Sequence, residues 1–192
     1  MVKSKVNSNY TLPYRRKREG RTNYKKRLAY LKSGLTRLVV RPTSKNIVVQ
    51  LVNYAPDGDQ VLFTVTSATL KKYGWKFHGG NTPSAYLSGF LLAKLAKGKA
   101  TDQVIVDLGL FHAAPKTRVF AAIKGAIDGG IQILADDEHL PSDDRVKGAH
   151  IESYAQSVAK GTLQFSLTVK EGAKPQAFIS EFDAVKKKIM GA

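Results

Sequence analysis

Between residues 14 and 27 the chain reads YRRKREGRTNYKKR, in which eight of fourteen residues are Lys or Arg and only Glu19 is acidic. The chemistry open to such a stretch is phosphate binding. Clustered cations displace the counterions condensed on a nucleic-acid backbone, and each guanidinium can grip a phosphate through two N–H groups. Tyr10, Tyr14, Tyr24 and Tyr30 interleave with the cations. Aromatic faces beside cations suit unpaired bases, which is how RNA is usually read. The candidate contacts are Tyr14, Arg15, Arg16, Lys17, Arg18, Arg21, Tyr24, Lys25, Lys26 and Arg27, continued by Lys32, Arg37 and Arg41.

A solvated basic face is the competing explanation, and the distribution of acids argues against it. Residues 1–45 hold 14 Lys or Arg against Glu19 alone, whereas residues 46–192 hold 17 against 14 acids. The formal charge of +16 therefore sits almost wholly in an N-terminal arm attached to a near-neutral remainder, the electrostatic footprint of a nucleic-acid binder. No zinc-finger spacing, no basic region leading into heptads and no helix-turn-helix pattern is present, so RNA is favoured over sequence-specific DNA.

Three other constellations compete for a role. Asp107, with Asp136, Asp137, Glu138, His139, Asp143 and Asp144, could gather as a magnesium site and make a nuclease. Their spacing specifies no ligand geometry, and a hydrated polar loop accounts for them better. The run HGGNTPSA places Gly79 and Gly80 before a helix start that could receive a phosphate. It lacks the Lys and Ser/Thr of a P-loop, so a capped helix start is the simpler reading. His78, His112, His139 and His150 are scattered without a nucleophile or paired ligand. The sequence thus points to a binding protein, with no enzyme activity, cofactor, metal or small-molecule substrate.

The elements that must position the arm follow from periodicity. Residues 1–13 lack an apolar repeat and read as an extended tail. From Thr22, Tyr24, Leu28 and Leu31 recur at helical spacing, and Gly34 suits the stop. RLVVRP, NIVVQLVNY and QVLFTVTSATL read as an antiparallel meander, with APDGD as a tight turn. NTPSAYLSGFLLAKLAKG is a core helix capped by Asn81 or Thr82, its apolar face formed by Leu87, Phe90, Leu91 and Leu95. QVIVDLG, KTRVFAAIKGAIDGG and IQIL read as strand, helix and strand, a parallel crossover. ADDEHLPSDDRVKGAH reads as a loop, and FISEFDAVKKKIM as a terminal helix burying Phe178, Phe182, Val185 and Ile189.

The fold class is therefore α/β: a mixed β-sheet of about five strands, an antiparallel meander plus a parallel crossover, flanked by helices. Three regions are expected: a basic arm with a short helix over residues 1–36, a core domain over 37–155 and a C-terminal extension over 156–192. The chain of 192 residues is long enough for one domain with extensions. It has no cysteine, which excludes disulfides and thiol chemistry and fits a reducing, cytoplasmic setting. The longest span without Lys, Arg, Asp or Glu, Phe77 to Ala93, contains His78, Asn81, Pro83 and three glycines, so no membrane span is expected. The N-terminus lacks the apolar segment of a secretory signal, and its acid-poor character imitates a transit peptide only loosely.

Longer stretches resemble one family. YRRKREGRTNYKKRLAYLKSG, RLVVRPTSKNI, YGWKFHGGNTPSAYLSGFLLAKLA, VIVDLGL, RVFAAIKGAIDGG and RVKGAHIESYA, in order across residues 14–155, are similar to the 5S rRNA-binding ribosomal proteins of the large subunit, number eighteen of the universal series. The likeness is to the archaeal and eukaryotic type, and the chain length suits the archaeal form. The resemblance implies a ribonuclease H-like arrangement without nuclease activity. It also implies an architectural protein of the ribosome that clamps 5S rRNA onto the large-subunit (23S-type) rRNA in the central protuberance, beside neighbouring ribosomal proteins. Carried over by position, the arm would insert between RNA helices. Thr43, Ser44, Lys45 and Asn46 would add phosphate and ribose contacts, and Arg145 and His150 join the candidate set. A general RNA-binding or RNA-chaperone protein is the alternative from charge alone.

Overall fold

The computed structural model describes residues 11–97, 103–158, 165–170 and 172–191. Tyr10, the first ten residues of the expected tail, and residues 159–164 of the expected C-terminal extension lie outside the described residues. Two helices open the chain, α1 (Arg15–Arg18) and α2 (Tyr24–Lys32). The strands β1 (Thr36–Pro42), β2 (Ile47–Asn53) and β3 (Gln60–Thr66) follow as the expected meander, both pairs antiparallel. The 55–58 segment makes the turn between β2 and β3, with Gly58 donating its N–H to the Ala55 carbonyl at 3.1 Å.

Helix α3 (Thr82–Ala96) then crosses the sheet and delivers β4 (Val104–Asp107) parallel to β1, giving the strand order β3-β2-β1-β4. The parallel crossover exists, but α3 makes it. The segment IQIL, expected as a fifth strand, is irregular and touches β4 through one bond, from Val104 N–H to the Gln132 carbonyl at 2.9 Å. Only four strands form among the described residues. Helix α4 (Arg118–Asp128) packs beside α3 instead.

The core lies on one face of the sheet, because alternate residues of each strand point there. Leu38 and Val40 of β1, Ile47, Val49 and Leu51 of β2 and Val65 of β3 are buried against α3. From Pro83 to Ala93 α3 is buried on every side, so its expected single stripe was too narrow; Leu95, assigned to it, is 50 % exposed. Small residues make this possible. At Gly89 and Gly125 a Cβ would run into the backbone carbonyls of Ala122 and Tyr86, so α3 and α4 meet main chain to main chain.

The ADDEHLPSDDRVKGAH segment is more ordered than its polarity suggests, and holds α5 (Asp143–Lys147) and the start of α6 (Ala149–Ser157). Asp143 and Asp144 in the first turn and Arg145 and Lys147 in the last complement the dipole of α5. After α7 (Ser166–Lys170), α8 (Phe178–Met190) buries Phe178, Phe182, Val185 and Ile189 as its spacing predicted. Phe178 and Phe182 meet Trp75 edge-on, at 5.4 and 6.5 Å between ring centroids.

Candidate nucleic-acid interface

The arm folds back on itself before it meets the domain. In α1 all four residues, Arg15, Arg16, Lys17 and Arg18, are exposed. A tight return follows, in which Arg21 and Thr22 donate their N–H groups to the Arg16 carbonyl and Arg16 Nε donates to Thr22 Oγ1 at 2.9 Å. Tyr14 and Tyr24 then lie 5.0 Å apart, ring to ring, across the bend. Asn23 caps α2, its side chain accepting from Lys26 N–H at 3.1 Å.

Helix α2 docks on the sheet face opposite the core, yet none of its residues is buried. Leu28, expected to face inward, is 55 % exposed. The inward face is instead Tyr24, Arg27, Tyr30 and Leu31, all half-buried. What fixes the helix is charge. Arg27 donates from both terminal nitrogens to the two oxygens of Asp59, each at 2.9 Å. Arg37 of β1 places Nη2 2.8 Å from Asp59 Oδ2 and Nη1 3.4 Å from Asp107 Oδ2. Arg41 completes the row, donating to Asp107 Oδ1 at 3.0 Å and to the Asp107 carbonyl at 2.6 Å. Five alternating charges thus run from the arm helix across β1 to the end of β4.

The electrostatics of this row are consistent along its length. Burial pushes the Asp59 carboxyl up, but the hydrogen bonds and charges of Arg27 and Arg37 outweigh it and hold Asp59 below its ordinary value. The Asp59 hydrogen bond raises Arg27 in return, against the opposing effect of burial. Burial, with help from the Asp107 charge, raises the Tyr30 phenol, which therefore stays protonated.

Arg37 is corrected by this geometry. It is 2 % exposed and committed to two carboxylates, so it positions the arm rather than reaching for RNA. Arg41 is partly committed in the same way. Arg15, Arg16, Lys17, Arg18, Arg21, Lys25, Lys26 and Lys32 keep their side chains in solvent. Glu19 offsets Arg15 and Arg21 through exposed pairs at 3.5 and 3.3 Å, contacts of little energetic consequence.

The remaining candidates collect elsewhere. Strand β1 enters from the arm at Thr36 and leaves toward residues 43–46 at Pro42, a separation of about 20 Å for seven extended residues. Thr43 closes that loop, its hydroxyl accepting from Asn46 N–H and donating to the Asn46 carbonyl. Ser67 braces it through Asn46 Oδ1 at 3.1 Å, leaving Ser44 and Lys45 exposed. Gly79 and Gly80 pack against this loop, and Asn81 caps α3 by accepting from Ser84 N–H at 2.9 Å. The HGGNTPSA run is therefore a capped helix start.

Gly148, at the α5–α6 corner, abuts Pro83 of the same helix start, while Arg145 lines a separate hollow with Lys116, Lys124 and Glu138. Arg145 is exposed. Burial and then the Arg145 charge lower the His150 imidazole below its ordinary value, so it is neutral at pH 7 and no phosphate cation.

The nuclease constellation does not assemble. Asp107 is 7 % exposed and faces two guanidinium groups. Asp136, Asp137, Glu138, Asp143 and Asp144 are exposed, and among the described residues no group of three or more His, Cys, Asp or Glu could hold a metal ion. Among those residues, too, no helix is long and apolar enough to cross a membrane.

Two features escaped the sequence: Asp59, and the exposed pair Leu110–Phe111 after β4. A lone Asp in the PDGD turn carries no signal, since its guanidinium partners are distant in sequence. Two bulky apolar residues in a Gly-containing loop did carry one, because such residues normally seek a core.

Comparison with known proteins supplies the wider context. The family described as ribosomal large subunit proteins 60S L5, and 50S L18, matches residues 8–103. The chain is 45 % identical over 185 residues to the large ribosomal subunit protein uL18 of Thermofilum pendens, covering 94 % of each chain. It is 42 % identical over 183 residues to the protein of that description from Korarchaeum cryptofilum, and 38 % over 182 residues to that from Methanosphaera stadtmanae, again across 94 % of each.

Proposed function

Because the chain belongs to the family of large-subunit ribosomal proteins just described, we propose that it binds 5S rRNA and attaches it to the large-subunit rRNA in the central protuberance. Membership places it in the large ribosomal subunit, where its relatives are structural constituents with archaeal counterparts. Its partners are then rRNA and neighbouring ribosomal proteins, and its setting is the cytoplasmic ribosome. The finer assignment, to 5S rRNA, is what the resemblance of the sequence implies, and this chain's own arrangement supports the RNA-binding part of it.

One observation carries that reading: the arm is docked through its acid-paired Arg27, which leaves its other cations facing solvent. Residues 1–36 act as the arm, which neutralises crowded phosphates. Residues 37–155 form the rigid body that sets its direction, and residues 156–192 buttress that body through α8. The second end of the molecule, with Lys45, Ser44, Thr43 and Asn46, offers a separate contact about one strand length away, and Arg145 adds an exposed cation elsewhere on the surface. Two contacts so spaced suit a folded RNA, recognised by shape and backbone more than by base sequence.

The alternative is a general RNA binder or chaperone, which would share the charge without needing the rigid body. Equilibrium binding to labelled 5S rRNA and to a size-matched unrelated folded RNA separates the two. A clear preference for 5S rRNA is the expected result, and equal affinity for both RNAs would overturn the assignment.

A further inference from the structure

Between the arm and the loop after β4 lies an open cavity of about 910 Å³, within the range of roughly 300–1,000 Å³ that holds drug-sized ligands. A second hollow continues it past Phe111 and shares Lys26, Tyr30, Leu110 and Phe111. We propose that this groove takes one unpaired nucleotide of RNA, its base stacked on Phe111 and its phosphate held by Arg16, Arg21 and Lys26. The inference rests on the RNA-binding reading above and deepens it.

Two bulky apolar residues on this loop are only about half covered. Leu110 is 55 % and Phe111 44 % exposed, and neither belongs to the core cluster. Exposed apolar surface of this kind marks a binding site when polar groups rim it. Here the rim is cationic. Arg16, Arg21 and Lys26 line the same cavity, and its two acids, Asp59 and Asp107, each face two guanidinium groups and leave little negative potential to repel a phosphate. An aromatic face beside cations matches a base with its phosphate better than it matches a protein surface.

The loop is also presented firmly. Gly109 donates its N–H to Asp107 Oδ1 at 2.8 Å, and Phe111 N–H reaches the Leu108 carbonyl at 3.2 Å. Gly109 has φ +63°, and a side chain there would strike the Arg41 guanidinium. Asp107 therefore organises both walls, holding Arg37 and Arg41 beneath the arm and fixing the turn that carries Phe111. Such preorganisation lowers the entropic cost of ordering a ligand.

The test uses the full chain, with Phe111→Ala and Phe111→Tyr, titrated against a ten-nucleotide oligoadenylate, 5S rRNA and an unrelated folded RNA at several salt concentrations. Phe111 is outside the core, so both variants should melt with the parent. Stacking of one base predicts that Phe111→Ala weakens oligoadenylate and 5S rRNA on the order of 10-fold, that Phe111→Tyr restores binding, and that the salt slope does not change. Parental binding of both RNAs by Phe111→Ala would overturn the groove and make the loop a protein-facing patch, leaving the 5S assignment standing. Loss of oligoadenylate binding in Phe111→Ala, together with no preference for 5S rRNA in the parent, would support the groove and remove the 5S assignment.

Discussion

Two helices of this molecule lie on a neighbour by opposite means. Helices α3 and α4 meet through Gly89 and Gly125, close enough that a methyl group would enter the opposing backbone. Helix α2 meets the other side of the sheet with no buried residue, held by a row of five alternating charges. Apolar contact is insensitive to salt, whereas an exposed ion pair weakens with it. The core can therefore stay rigid while the arm remains adjustable. That division suits the proposed role, in which RNA phosphates would compete with Asp59 for Arg27.

The comparison can be broken first at the core. Gly125→Val sets a branched side chain against the Tyr86 carbonyl, and should cost about 3–4 kcal/mol, above the usual 1–3 for overpacking because backbone must move. Chemical denaturation measures it, and a loss below about 1 kcal/mol would show that the helix seam is loose. The inner end of the charge row comes next. Asp107→Ala leaves Arg37 buried with Asp59 as its remaining carboxylate partner, so the loss should be about 2–3 kcal/mol, below the 3–5 typical of a fully orphaned charge. An unchanged unfolding midpoint would contradict a structural role for Asp107.

The outer end should behave differently. Arg27→Gln removes only the outer, part-exposed partner of Asp59 and leaves Arg37 with both carboxylates, so it is expected to cost the fold no more than about 1 kcal/mol, yet it undocks the arm and should speed tryptic cleavage within residues 15–26 while the core resists. Equal protection of the arm would mean that other contacts hold it. Acid should act similarly. The depressed Asp59 value means that its contribution is complete above the unfolded carboxyl value, about 4, and is lost as pH falls through the lower folded value. The arm should then loosen only in acid, and loosening near pH 6 would exclude Asp59 as the cause.

The same contrast explains what the sequence could reveal. Strands β1 to β3, α3 and α8 were legible because burial imposes a period of two or 3.6 on their residues. The stripe assigned to α2 failed at Leu28, because that helix is anchored by Arg27, and a guanidinium's distant partner leaves no period. IQIL has the composition of a strand, yet it meets β4 through a single bond. The cationic arm was legible as composition. The burial of Arg37 was not, since a paired buried Arg and a free exposed one read alike until Asp59 and Asp107 are brought beside it.

The most direct test of the account is the salt dependence of 5S rRNA binding, compared between the parent and a variant with Arg15, Arg16, Lys17 and Arg18 all changed to Gln. If six to ten phosphates are engaged, parental affinity should fall roughly 10³- to 10⁵-fold between 50 and 200 mM salt, with the variant's logarithmic slope shallower by about 3. A flat parental response, or equal slopes in the two proteins, would contradict an arm that works by neutralising phosphates.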